Sequence, residues 1–263
     1  TYMKISFFSF AVNTSFPIDV AYRAFQKYMK EDFEYIIFND AYQSQMEKDI
    51  NTICEFNKIK CVRVPQTIHQ VQNPSVCYSS TVNWAIRDYA VKNDCDIIVI
   101  MHSDIFPIGE VSINEILGDY TIASTVEFRK IGDSGFTYLY PALSVIHMQK
   151  LKKLGVKELD FGLAPGFDCG GLTKDFLIKY PNDVKLLPNY QASYFLATLD
   201  PNESLAKYFK EDLEITRAAG LSSGWLCFNY YHYIAGSGWN INDNSLFAKG
   251  HKDRMDLFLK YFY

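Results

Sequence analysis

The sequence predicts an α/β fold, with a mostly parallel central sheet flanked by helices in a single domain. Three observations carry this. Short apolar runs and segments of helical spacing alternate through the first hundred residues. The most apolar run, Asp96 to Met101, ends abruptly in the polar cluster His102-Ser103-Asp104. No linker, low-complexity tract or internal repeat divides the 263 residues, a length sufficient for one large domain with a substantial core.

The runs Lys4 to Phe10, Tyr35 to Phe38, Lys60 to Val64 and Asp96 to Met101 are rich in β-branched and aromatic residues, as strands buried on both faces are. Between them, Met46, Ile50 and Ile53 share one helical face. Val82, Ala85, Ile86, Tyr89 and Ala90 form a second such stripe, with a helix start expected at Ser79 or Ser80. Repeated βα units imply parallel strands joined by right-handed crossovers, and ligands on such sheets sit beyond the carboxyl ends of the strands.

After residue 107 the rhythm changes. Strand-like runs cover Thr121 to Val126, Tyr138 to His147 and Trp225 to Tyr233, and helices are expected near Met148 to Leu154, Leu172 to Tyr180 and Lys252 to Phe262. The second half is expected to complete the sheet begun by the first.

Net charge is −4, so clustered basic residues for nucleic acid are not expected. Six cysteines lack a CxxC pair, which predicts free thiols rather than a zinc knuckle or a disulfide framework. No run approaches a membrane span and no charged-then-apolar leader opens the chain, so the expected location is cytoplasmic or peripheral to a membrane. The 19 Tyr and 20 Phe serve a heavy aromatic core or surfaces for ring-shaped ligands.

The chemistry is expected at strand ends. Asp104, where an apolar strand leaves the sheet, suits a divalent cation beside a diphosphate, or alternatively caps the turn before Pro107. Asp168 lies in the Gly-rich stretch Gly162 to Gly171 ahead of a predicted helix; it suits a general base, or alternatively a helix cap. Trp239 offers a plane for a sugar ring, or fills the core.

The order of elements resembles the nucleotide-sugar-binding half of GT-A-fold glycosyltransferases. The points of likeness are Asn39-Asp40 after the second strand, a Ser/Thr-led helix carrying Asn83 and Arg87, and a strand ending in His-Ser-Asp. The resemblance covers roughly residues 3 to 107, with 108 to 263 as the acceptor-binding half. It implies a Rossmann-like GT-A domain in which Asp104 holds Mn2+ or Mg2+ between the phosphates. His102 stands where the family's DxD motif has its first Asp and would hydrogen-bond the ribose or ligate the metal, and His232, chosen over His251, would be a further metal ligand. The same resemblance implies that Ser9, Phe10, Ala11 and Asp40 hold base and ribose, that Ser80, Asn83 and Ser103 add contacts, and that Asp168 deprotonates the acceptor if the enzyme inverts. The implied partners are a nucleoside diphosphate sugar, with UDP first, and a glycan or other hydroxyl acceptor.

Two other readings stand beside it. A sugar nucleotidyltransferase would need a Gly-rich basic loop after the first strand, and Ser9 to Ser15 has no Gly, Lys or Arg. A non-catalytic nucleotide-sugar or carbohydrate-binding module would keep the fold without turnover, and the His102 departure is its support. A dehydrogenase is disfavoured by the absence of GxGxxG.

Overall fold

In the computed structural model the described residues are 3–12, 15–66, 73–221, 224–232 and 246–262. The first four strands, β1 (Ile5–Ala11), β2 (Phe33–Asn39), β3 (Lys60–Arg63) and β4 (Ile97–Met101), run parallel in the order β3-β2-β1-β4. Every residue of β1 and β4 is buried, which explains why both read as continuous apolar runs rather than alternating ones. The crossovers are α1 (Phe16–Tyr28), α2 (Ser44–Asn57) and α3 (Pro74–Trp84), the last continuing as a π-helical stretch over Ala85–Ala90.

The start of α3 corrects the sequence expectation. Pro74 stands in the first turn, and the Asn73 side chain accepts the Ser75 N–H at 2.9 Å, so the helix begins five residues before Ser79. Proline lacks only an N–H that a first turn leaves unpaired, and asparagine is a favoured cap. The sequence therefore held the start signal, about two turns earlier than the apolar stripe.

The short β5 (Ile105–Pro107) and α4 (Ile113–Leu117) lead into a long hairpin, β6 (Ile122–Ile131) and β7 (Ser134–His147). β7 pairs antiparallel with β4, and β6 pairs parallel with β8 (Val184–Leu186). The seven-stranded sheet therefore has the order β3-β2-β1-β4-β7-β6-β8, and the second half does extend the first half's sheet. Between β7 and β8 lie α5 (Met148–Leu154) and α6 (Thr173–Lys179), close to the predicted bounds.

The remaining elements are β9 (Tyr190–Gln191), α7 (Ala192–Leu196), α8 (Ser204–Ala218), β10 (Trp225–Cys227), β11 (Tyr230–His232) and α9 (Leu246–Phe262). They include a second sheet of order β5-β11-β10-β9. The single strand expected from Trp225 to Tyr233 is thus two, turned at Phe228 and Asn229, with Phe228 at a positive φ of 49°. Helix α8 carried no expectation, and α9 begins six residues before Lys252.

Two apolar cores cover the faces of the main sheet. One unites β1, α1, α2, the small sheet, α8 and α9; the other packs α3, its π-helical extension, α5 and α6. All six cysteines are free thiols. No helix among the described residues is long and apolar enough to cross a membrane.

Candidate active site

Strand order reverses at β1 and β4. The chain leaves β1 for β2 on one side and returns through β4 on the other, so the carboxyl ends of these two neighbours open a crevice between diverging crossovers. His102-Ser103-Asp104 follows β4 directly at this point, with the His102 N–H bonded to the Ala142 carbonyl of β7 at 3.0 Å. β5 begins at Ile105, immediately after the motif, and Ile105 pairs with His232 of β11. That antiparallel pairing carries His232 from the far end of the chain to the motif.

The three side chains converge. His102 Nδ1 lies 3.4 Å from His232 Nε2, His232 Nε2 lies 3.4 Å from Asp104 Oδ1, and His102 Nδ1 lies 3.9 Å from the same oxygen. One ligand atom from each falls within 4.8 Å of the others. Asp104 and Ser103 are buried. His102 is held edge-on among the rings of Tyr78, Tyr140 and His232, at centroid distances of 4.9, 5.4 and 5.2 Å. Burial, then the neighbouring His232, pushes its pKa down to about 4 against the pull of Asp104 and Asp168. Its imidazole is therefore neutral at physiological pH, the form that donates a lone pair to a metal.

The donor set fits a divalent cation. Two imidazole nitrogens with one carboxylate suit Mn2+ better than Mg2+, which prefers an all-oxygen shell.

Asp168 reaches the same region by a different route. It does not cap α6, which begins five residues later; its Oδ1 accepts the N–H of its own neighbour Cys169 at 2.7 Å. Its charge acts on both His102 and Tyr140. The loop is clamped to β7 by Thr173, whose hydroxyl sits 2.7 Å from the Leu139 nitrogen and 2.6 Å from the Gly170 carbonyl. Gly170 has φ of +92°, and a Cβ there would run into the Leu139 carbonyl, so the position takes glycine alone.

Ser9, Phe10 and Ala11 are buried at the end of β1. Phe10 packs on Phe38 and Tyr78, so its ring belongs to the core beside the crevice. Asp40 lies just beyond β2 and is 1% exposed, with Oδ2 3.2 Å from the Thr81 hydroxyl. Burial raises its pKa to about 7, although Thr81 and Arg63 pull the other way. Ser80 is partly buried one residue from Thr81. Asn83 has both ends of its amide engaged: it donates to Asp160 at 2.7 Å and accepts the Phe161 N–H at 2.9 Å. Together with the Arg87 ion pair to Asp160 at 3.2 Å, this makes a clasp between α3 and the segment entering the Asp168 loop. Trp239 lies outside the described residues.

Sequence reading missed several residues here. Tyr78, Tyr140 and Thr81 look like core positions in any periodicity, and only the convergence of α3, β7 and β4 puts them at the crevice. Trp225 was read merely as the start of a strand. It sits directly opposite His232 across the small sheet, and the two share a cleft with Ile105, Thr125 and Asn189.

The architecture is the α/β class that the sequence predicts: a large, mostly parallel sheet with helices on both faces. No family model matches the sequence, and no curated protein does. Among solved structures, the chain resembles galactosyltransferase LgtC in complex with donor and acceptor sugar analogs, at 12% identity and a TM-score of 0.54, over 99% of this chain and 97% of that one. An active-site mutant of LgtC is similar at 11% identity and a TM-score of 0.52, with the same coverage. At such identity the likeness shows the fold.

Proposed function

We propose that this chain is a metal-dependent glycosyltransferase that moves a sugar from a nucleoside diphosphate, UDP first among the candidates, to an acceptor hydroxyl. The observation that carries the reading is the convergence of His102, Asp104 and His232 at the switch point of the sheet. The likeness to LgtC, whose solved structure holds donor and acceptor sugar analogs, supports it.

In this reading Asp104, His102 and His232 hold Mn2+, with Mg2+ the weaker fit. Such an ion would neutralise the charge that develops on the diphosphate as it leaves. Asp104 contributes the charge, and the neutral His102 donates without competing for a proton. Ser9, Phe10, Ala11, Ser80, Ser103 and Asp40 border the nucleotide, where Asp40 can present either an acid or a carboxylate near neutral pH. Asn83 steadies the Asp168 loop through Asp160. In an inverting enzyme Asp168 takes the proton of the acceptor hydroxyl; in a retaining one it contacts the transferred sugar instead. The anomeric configuration of the product, read by NMR, decides between these roles.

The deciding test is calorimetric titration of UDP, GDP and their sugars, with Mn2+ and then with EDTA, on wild type and Asp104→Ala. Binding of one nucleotide that needs the metal and disappears in Asp104→Ala is the expected result. A folded protein that binds none of them would overturn the assignment.

A further inference from the structure

Behind the candidate site, the small sheet is tied to the last helices by an ion pair shut away from water. Arg254 on α9 and Asp212 on α8 are both 0% exposed. Arg254 Nε donates to Asp212 Oδ1 at 2.7 Å and its Nη2 to Oδ2 at 3.1 Å. Tyr231 closes the ring: its hydroxyl donates to Asp212 Oδ2 at 2.6 Å and accepts from Arg254 Nη2 at 2.8 Å.

A buried ion pair is weak glue, since the cost of removing two charges from water offsets most of their attraction, and apolar side chains of similar volume would hold two helices as well. Its distinctive property is direction: a bidentate guanidinium and carboxylate fix angle as well as distance. What they orient here is Tyr231, the residue preceding His232 on β11. Successive strand residues face opposite ways, so fixing the Tyr231 hydroxyl on the helix side fixes His232 on the side of Asp104. Gly224 makes room for this arrangement, because a Cβ there would run into the Tyr231 ring. The helix that supplies Arg254 also buries His251, one turn earlier, where it feels the charge of Asp104. Helix α9 therefore backs both the motif and the strand that faces it.

We propose that Asp212, Arg254 and Tyr231 are positioning residues that set the depth and rotation of β11, so that His232 Nε2 is presented to Asp104 as a preformed cation ligand. The inference rests on the metal-site reading given above. It adds a role for the two carboxyl-terminal helices, coupling their docking to cation affinity.

The test compares wild type with Tyr231→Phe, Asp212→Asn, His232→Ala and a core truncation on the same helix, Leu213→Ala. Mn2+ affinity is measured by electron paramagnetic resonance titration, and thermal stability is measured in EDTA. Removing the Tyr231 hydroxyl, which acts on His232 only through the placement of β11, is expected to weaken Mn2+ binding on the order of tenfold, the lower end of what losing a group that orients a metal ligand costs. Leu213→Ala is expected to lower the melting temperature while leaving Mn2+ affinity unchanged. Tyr231→Phe binding Mn2+ as tightly as wild type would overturn the proposal and leave the ring a purely structural tie, even if Asp212→Asn does not fold. Wild type and His232→Ala failing alike to bind Mn2+ would overturn the metal site itself, and the proposal with it.

Discussion

His232 Nε2 lies 3.4 Å from Asp104 Oδ1 because β11 pairs with β5, the strand that begins one residue after Asp104. The position of the third candidate ligand is therefore a matter of strand register. A slip of one residue would turn Tyr231 toward the motif and His232 into the core.

Exchanging one nitrogen donor for oxygen should change which ion the site prefers. His102→Asp is expected to shift the ratio of Mg2+ to Mn2+ affinity toward Mg2+ by roughly an order of magnitude, since Mg2+ favours oxygen ligands and imidazole does not suit it. Competitive metal titration checks this. An unchanged ratio would place His102 outside the coordination shell.

Asp40 should make stability depend on pH in a specific direction. Its pKa rises to about 7 in the folded chain from an ordinary 3.8, chiefly through burial. Between those values the folded state holds a proton that the unfolded state has lost, so this contribution is fully present below pH 3.8 and is lost as pH rises through 7. Asp40→Asn is therefore expected to gain stability over wild type at about pH 8.5, by up to about 4 kcal/mol, and much less at about pH 5. Urea denaturation of both proteins at the two pH values measures the difference, and comparison at equal pH cancels the buried histidines.

Asn83 should prove a clasp first. Asn83→Ala removes the bonds to Asp160 and Phe161 and is expected to cost about 1–3 kcal/mol in chemical denaturation. Nucleotide affinity should fall less than stability does. A selective loss of UDP binding with full stability would instead assign Asn83 to the base.

Trp225 offers a half-buried indole opposite His232, bordering the cleft they share. If an acceptor sugar lies against it, Trp225→Ala is expected to raise the acceptor KM by roughly tenfold with donor KM unchanged, the order of effect an aromatic contact supplies. Steady-state kinetics with each substrate varied in turn separates the two.

The four parallel strands, α2, α5 and α6 were legible in the sequence because their apolar spacing is local and strong. Local patterns also placed Asp104 at the exit of β4, and the aromatic density correctly suggested a Phe- and Tyr-rich interior. The hairpin turn at Phe228 and Asn229 was not legible, because it carries neither glycine nor proline and the aromatic run reads straight through it. Asp168 could be a cap or a functional acid on sequence alone. The structure removed the cap, because α6 begins too late for its oxygen to reach a helix N–H.

By itself, then, the sequence determined an α/β chain with a mostly parallel sheet and a polar motif at the carboxyl end of its most apolar strand, since burial and backbone periodicity are written in neighbouring residues. It also named His232, but through a resemblance rather than through any pattern of its own. Only the tertiary structure decided that His232 meets His102 and Asp104, that Asn83 is occupied with Asp160, and that Asp212, Arg254 and Tyr231 form one buried ring. Each of these depends on contacts between residues tens of positions apart or more, fixed by strand register and helix docking, for which local propensity holds no record.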